Sequence, residues 1–441
     1  MTIDNSSFFV FSIPLILHID CNSFYASCEV SLRPELKGKP VVVANYNEAG
    51  GGIILALSKE AKALGLKRGN PVFQVREVLE KNGVVVFPAN LQKYVDISKR
   101  IMQVVQEQEM VQAFHRYSID EFFAEIPEMS KTDATDYVAI LKEAIEHGTG
   151  IPVSCGISVT YTLAKVATWY AKRFAGYKGI CVLLPADIEK ALRGVPVADV
   201  WGVGYRSAPK MGRMGIKTAW DYSQKPQAFI QKSFRLPGVR TWMELRGQQA
   251  VDITTPPKQQ SIMHSRTFTY MTDNRETLAA YIANYTVAAA RKLRDQHSVC
   301  RSVTVFVNTN RHRLDLPQYS NAATVRLANA TAGTTELVNA AQQAFDGVFR
   351  EHYQYKRAGV VLAEITDDSA VEQDLFVSTR DVERQRRLME ATDSINTRYG
   401  MDKVRLAAQE YRHENREPAD QIRFEPLRNE TTNIDDIITV R

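Results

Sequence analysis

Leu15-Ile16-Leu17-His18-Ile19-Asp20-Cys21-Asn22-Ser23-Phe24-Tyr25-Ala26-Ser27-Cys28-Glu29 is the stretch whose reading decides the fold. Leu15 to Ile19 is a β-rich, mostly apolar run ending on a carboxylate, Asp20, as expected of a buried strand that delivers an acid at its tip. The longer run from Phe8 is broken by Pro14 and lacks basic flanking residues. It is too short to span a bilayer and unlike a signal peptide, so a buried first strand and a cytoplasmic protein are expected. Roughly 100 residues later, Asp120 and Glu121 stand in Tyr117-Ser118-Ile119-Asp120-Glu121 with apolar residues on both sides. Adjacent strand residues point to opposite faces, so both acids reach one site only where the strand turns or bulges. Acids in apolar surroundings are costly unless a cation compensates, and three carboxylates at strand ends make a hard-oxygen site suited to Mg²⁺.

Outward from that stretch, strands and helices alternate. Pro40–Ala44 reads as a strand, Glu60–Leu64 as a short helix capped by Gly65, and Leu91–Gln106 as a helix. Arg116–Ile126 is β-like, Tyr137–Glu146 helical, Val153–Val159 a strand and Leu163–Phe174 helical. Ala186 to Gly247 is helical with glycine-containing breaks, and Thr254-Thr255-Pro256-Pro257-Lys258 is a linker. Beyond it come a strand from Arg266, a helix over Leu278–Leu293, strand Val303–Val307, helix Leu337–Phe349 and strand Gly359–Ile365. The last 75 or so residues are polar and partly helical, with no evident core. At 441 residues the chain holds several cores. Its net charge of +5 permits nucleic-acid binding without demanding it. The five cysteines, Cys21, Cys28, Cys155, Cys181 and Cys300, never fall in a CxxC spacing, which argues against a zinc site or a disulfide framework.

The string Asp20 to Glu29 resembles the opening catalytic motif of the Y-family, or translesion, DNA polymerases, and Tyr117 to Glu121 resembles their second motif. The whole chain is similar to the polymerase V subgroup. That resemblance implies an α+β multidomain right hand: a palm over 1–23 and 90–185, small fingers over 24–89, a helical thumb with a helix–hairpin–helix over 186–250, a linker over 251–258, an α/β little finger over 259–366 and a tail over 367–441. It implies template-directed synthesis past damage within the SOS response, from dNTPs and without proofreading. Asp20, Asp120 and Glu121 would be catalytic and, with the Cys21 carbonyl, would hold two Mg²⁺ ions. Phe24 and Tyr25 would contact the nucleotide, Tyr25 as a rigid ring under the sugar that clashes with a 2′-OH.

The triphosphate requires further cations. Ser58-Lys59-Glu60-Ala61-Lys62 resembles the family's fingers motif, and Gly156-Ile157-Ser158 through Ala164-Lys165 its third palm motif, so Lys62 and Lys165 would bind phosphates. Many relatives carry Tyr and Arg where this chain has Lys59 and Lys62, which leaves Lys59 without a role and Lys62 as a point charge. Gly202 and Gly204 in Val200-Trp201-Gly202-Val203-Gly204, with Arg206, suit a hairpin that holds a DNA phosphate through backbone N–H groups. Lys258 to Glu364 carries 13 Lys plus Arg against 8 Asp plus Glu, a balance of +5, with Arg291 and Arg294 as candidate DNA contacts. Gln373, Leu375 and Phe376 in Glu372-Gln373-Asp374-Leu375-Phe376 are similar to a sliding-clamp-binding peptide, although Glu372 stands where a Gln is usual. The tail resembles the region that meets an accessory subunit in the polymerase V subgroup. From the residues alone two other readings stay open, a palm-fold nucleotide cyclase and a DNA-bound scaffold without catalysis. The basic module counts against the first, and three costly acids count against the second.

Overall fold

The computed structural model describes residues 14–45, 52–254, 258–370, 379–400 and 403–409. The first 13 residues, the centre of the linker, the Glu372–Phe376 peptide and the tail beyond residue 409 lie outside the described residues. The chain forms two compact units on either side of the linker.

The first unit is built on β1 (Leu15–Cys21), the middle of a five-stranded sheet. Its neighbours are β6 (Glu121–Ile126), beyond which lies β5 (Ala113–Arg116), and β7 (Val153–Ser158), beyond which lies β8 (Ile180–Val182). The period of two in a strand sorts the residues of β1. Leu15, Leu17, Ile19 and Cys21 face a core shared with α1 (Phe24–Ser31), α4 (Leu91–Gln106) and α5 (Lys131–Thr149). Ile16, His18 and Asp20 face α6 (Tyr161–Arg173), where Ile16 packs with Tyr161 and Ala164, and His18 Nδ1 lies 2.8 Å from Thr168 Oγ1. α6 sits directly on the sheet because Gly156, the partner of His18 on β7, has no side chain. A Cβ there would lie 2.3 Å from the Ala164 carbonyl and from the Thr168 nitrogen. The expected helix over Leu91–Gln106 is seen with those bounds; the Asn90 side chain caps it and Tyr94, Ile97, Ile101 and Val105 form its buried stripe.

Between α1 and α4, β2 (Val41–Ala44), β3 (Ile54–Leu57) and β4 (Val85–Pro88) form a small sheet in the order β3-β2-β4. With α2 (Lys59–Ala63) and α3 (Arg76–Lys81) it has its own apolar core around Val42, Ile54, Leu57, Ala61 and Leu79. After β8 the chain turns helical through α7 (Ile188–Gly194), α8 (Ser207–Arg213), α9 (Ala219–Ser223) and α10 (Gln227–Leu245). α10 breaks at Arg235, φ +59, just before Pro237, whose ring and missing N–H forbid a continuous ladder. This helical module is fastened to α6 by the buried Glu244. Its carboxylate accepts the N–H groups of Thr162 (2.9 Å), Ala250 (2.8 Å) and Val251 (3.1 Å), and its carbonyl accepts the Thr160 hydroxyl (2.9 Å). Glu244→Ala leaves three donors without an acceptor and is expected to cost about 3–5 kcal/mol, read as a lowered midpoint in denaturant unfolding.

The second unit is a four-stranded antiparallel sheet in the order β11-β10-β12-β9. Its strands are β9 (Ile262–Thr272), β10 (Ser298–Thr309), β11 (Ser320–Thr331) and β12 (Tyr355–Asp367), with α11 (Arg275–Asp295) and α12 (Thr334–Val348) packed on one face. β11 is absent from the sequence reading. It is an edge strand of small and polar residues with no buried position, so its apolar signal is weak. A further helix, α13 (Thr379–Tyr399), stands in what reads from sequence as a coreless tail, and it docks on α11. No described helix is long and apolar enough to cross a membrane.

Candidate active site at the end of the central strand

The site is assembled where β1 gives way to α1. Asp20 is the register partner of Glu121, and the Cys21 N–H donates to the Asp120 carbonyl at 2.9 Å. β5 and β6 form the hairpin that adjacent acids require. The Tyr117 and Ser118 N–H groups both reach the Glu121 carbonyl (3.1 and 3.0 Å), leaving Asp120 on the turn and Glu121 at the strand's first position. Beyond Cys21 the chain reverses through Ser23, a non-glycine residue at φ +51, and α1 starts at once with Phe24 and Tyr25. A left-handed serine is strained, and such residues cluster at functional turns.

Each acid has a partner. Asp20, 13% exposed, pairs with Lys172; Glu121 pairs with Lys165 Nζ at 2.7 Å; Asp120 Oδ1 accepts the Ser118 hydroxyl at 2.5 Å. Burial, opposed by Lys172 and reinforced by Glu121, raises the Asp20 carboxyl to about 6. Burial, then the charges of Asp20 and Asp120, push the Cys21 thiol well up, so this side chain is a packing group. Lys62 donates to the Ser23 hydroxyl at 2.7 Å, and its ammonium is lowered by burial and by Lys172.

Lys172 was missed in the sequence reading. It lies seven residues beyond Lys165 on α6, two helical turns along the same face, and that spacing was the available signal. Lys165, expected at the triphosphate, is brought to the same cluster of acids. Its ammonium rests against Glu121 and over the rings of Tyr117 (4.7 Å), Trp201 (5.4 Å) and Phe123 (5.8 Å). Arg294 is likewise engaged. Its guanidinium donates to both Asp393 oxygens (2.7 and 2.9 Å) and to the Ala332 carbonyl (2.9 Å), and Arg291 reaches Thr397 at 3.1 Å. These two arginines hold α13, whose contacting residues lie 99 or more positions away in sequence. Gly202, φ +88, and Gly204 sit in a turn before α8, with Tyr205 and Arg206 exposed beside them.

The donor chemistry fits a hard divalent cation, because like charges on Asp20 and Glu121 are held opposite each other with ammonium groups as compensation. Among the described residues no three His, Cys, Asp or Glu side chains converge on one point as they stand, since each acid turns to its own partner. A carboxyl raised in the fold from 3.8 to about 6 lends stability below its ordinary range and loses it as pH rises through about 6. Without divalent cations, Asp20→Asn should therefore stabilise the protein at pH 8 by on the order of 1–3 kcal/mol. Added magnesium should raise the melting temperature of the wild type and not of the variant.

Residues 19–169 match the impB/mucB/samB family, and residues 259–375 match the C-terminal domain of that family. The chain belongs to the impB/mucB/samB family. Protein UmuC of Salmonella typhimurium is 36% identical over 394 residues, 88% of this chain and 92% of the relative. Protein ImpB of the same organism is 35% identical over 382 residues, 86% and 89% of the two chains. A DNA polymerase IV of Desulfatibacillum aliphaticivorans is 26% identical over 404 residues, 89% and 96%. Among solved structures, a Y-family DNA polymerase chimera shares the fold with a TM-score of 0.63 at 20% identity, covering 80% of this chain and 99% of its own. This impB/mucB/samB member is thus a Y-family polymerase related to UmuC, and neither the cyclase nor the scaffold alternative survives. Residues 386–440 match a domain of unknown function.

Proposed function

We propose that this chain copies DNA past damaged template positions, joining dNTPs to a primer 3′ end at the site formed by Asp20, Asp120 and Glu121. The register pairing of Asp20 with Glu121, with Asp120 on the adjoining turn, carries the reading. Asp20, Asp120, Glu121 and the Cys21 carbonyl would hold two Mg²⁺ ions, which supply activation of the primer 3′ oxygen and neutralisation of the pyrophosphate. The chain's own groups do the rest. Lys172 leaves Asp20 for the triphosphate, and Lys62, already aimed at the β1–α1 turn, joins it. Lys165, held by its three rings, keeps Glu121 in position. Phe24 and Tyr25 open α1 beneath the place the sugar takes.

For the DNA, the backbone at Gly202 and Gly204 with Arg206 would hold a phosphate. In the second unit, the period of two puts Thr304, Phe306, Arg326 and Arg357 on the sheet face that α11 and α12 leave uncovered, while Val303, Val305 and Val360 face the helices. Arg326, paired with Glu364 at 2.9 Å, and Arg357, bonded to Ser265 at 3.0 Å, would join Arg291 and Arg294 as backbone-gripping cations once DNA competes for them. Gln373, Leu375 and Phe376 would bind a sliding clamp, the tail an accessory subunit, and the protein would work in the cytoplasm. Single-nucleotide addition opposite each of the four template bases tests the reading. Magnesium-dependent addition that favours the complementary dNTP supports it, and addition independent of the template base contradicts it.

A further inference from the structure

Tyr25, read as the gate that excludes a 2′-OH, does not stand alone. The ring of Tyr25 stacks on that of Tyr94, with centroids 4.5 Å apart and planes within 18°. Tyr94 comes from α4, a different element, and is fully buried. Its hydroxyl donates to Glu29 Oε1 at 2.8 Å. Glu29 lies on α1 four residues after Tyr25, one helical turn along the same face. Tyr94 therefore touches α1 twice, through its ring at Tyr25 and through its hydroxyl at Glu29. Such a two-point contact allows neither sliding along α1 nor rotation away from it.

Glu29 is itself 1% exposed, a position at which a carboxylate has to be paired and hydrogen-bonded. Arg33 supplies that pairing at 2.6 Å, one further turn on, and Lys93 stands at 3.5 Å. The Arg33 guanidinium in turn lies over the Phe87 ring at 4.6 Å. Burial and then the Glu29 charge push the Tyr94 phenol well up, so it remains a donor at working pH. None of these groups touches the acids at the end of β1. Simple core packing needs a ring at residue 94. It does not need a buried carboxylate whose polar atoms converge on that ring's hydroxyl.

We propose that Tyr94, anchored by the Glu29–Arg33 pair, is a positioning residue for sugar selection: it holds the Tyr25 ring at the height where a 2′-OH clashes. This rests on the reading of Tyr25 as the gate. A ring free to tilt by a fraction of an ångström admits one extra oxygen, so loosening the support relaxes selection without removing the gate. Tyr94→Leu removes the stacking surface. Tyr94→Phe keeps the surface and the packing but loses the anchor, and it serves as the variant that folds.

The test is kcat/KM for a dNTP and for the matching rNTP opposite the same template base, in wild type, Tyr94→Leu, Tyr94→Phe and Tyr25→Ala. The expected result is that kcat/KM for the rNTP rises in both Tyr94 variants, a direction that loss of folded enzyme does not produce. The dNTP-to-rNTP ratio should fall about tenfold for Tyr94→Leu and about threefold for Tyr94→Phe. If Tyr25→Ala relaxes selection while both Tyr94 variants keep the wild-type ratio, the positioning role is wrong and the gate reading stands. If the Tyr94 variants lose dNTP and rNTP addition in equal proportion, Tyr94 is only structural and the proposal fails. If Tyr25→Ala itself leaves the ratio unchanged, the gate reading fails and takes the proposal with it.

Discussion

Glu121→Gln lowers the rate of nucleotide addition by about 10³-fold or more, with DNA still bound. The substitution preserves the length and shape of the side chain, and the backbone pairing of residue 121 with Asp20 does not involve the carboxylate. What is lost is one negative charge at the point where divalent cations would be held. Removing a single well-placed electrostatic group from an active site ordinarily costs about 10²–10³-fold, and a lost metal ligand lies at or beyond the upper end of that range. Lys165 sharpens the expectation, because its ammonium, 2.7 Å from Glu121, remains in place and faces a neutral amide, which further disfavours a cation there. Asp120→Asn should behave similarly. Single-turnover addition of one dNTP to a primed template, beside a DNA-binding titration, separates the lost chemistry from lost affinity. A rate within tenfold of wild type would remove Glu121 from the catalytic set.

Tyr25→Ala lowers the preference for dNTP over rNTP by about 10²-fold. Selection by steric exclusion is a difference between two transition states, and a ring held in place raises only the one carrying a 2′-oxygen. Tyr25 is the second residue of α1, just beyond the strained turn at Ser23, so the backbone gives it little freedom, and Tyr94 stacks on its ring. Alanine leaves space for the hydroxyl, and among the described residues the one other ring against Tyr25 is that of its neighbour Phe24, 5.9 Å away between centroids and tilted by 50°. Competition between a dNTP and its rNTP, resolved by alkaline cleavage of the extended primer, measures the ratio. An unchanged ratio would mean that the sugar is selected elsewhere.

What was legible in the sequence follows from how local the determinants are. The strand at Leu15 and the helix at Leu91 carry periodic apolar residues and their own end signals, so they read correctly from a short window. The carboxylates stand out through their apolar flanks and above all through the resemblance of Asp20–Glu29 and Tyr117–Glu121 to family motifs, and the hairpin that joins Asp120 to Glu121 spans only a few residues. The rest depends on contacts between distant segments. β11 is recognisable only beside β10, since nothing in Ser320–Thr331 forms a continuous apolar face. The protein partners of Arg291 and Arg294 stand about a hundred residues away, and no local rule separates an arginine held in this way from one that grips phosphate. Lys172 lacked a flanking motif, and only the closeness of α6 to the sheet, allowed by Gly156, brings it to Asp20.

The acids at the end of β1 are expected to support copying of DNA through damage. Running-start primer extension across a single abasic site, with dNTPs, magnesium, sliding clamp and accessory subunit present, tests it most directly. Wild type is expected to give products extended beyond the site and Glu121→Gln none. DNA binding with no extension by the wild type, or equal extension by the variant, would contradict it.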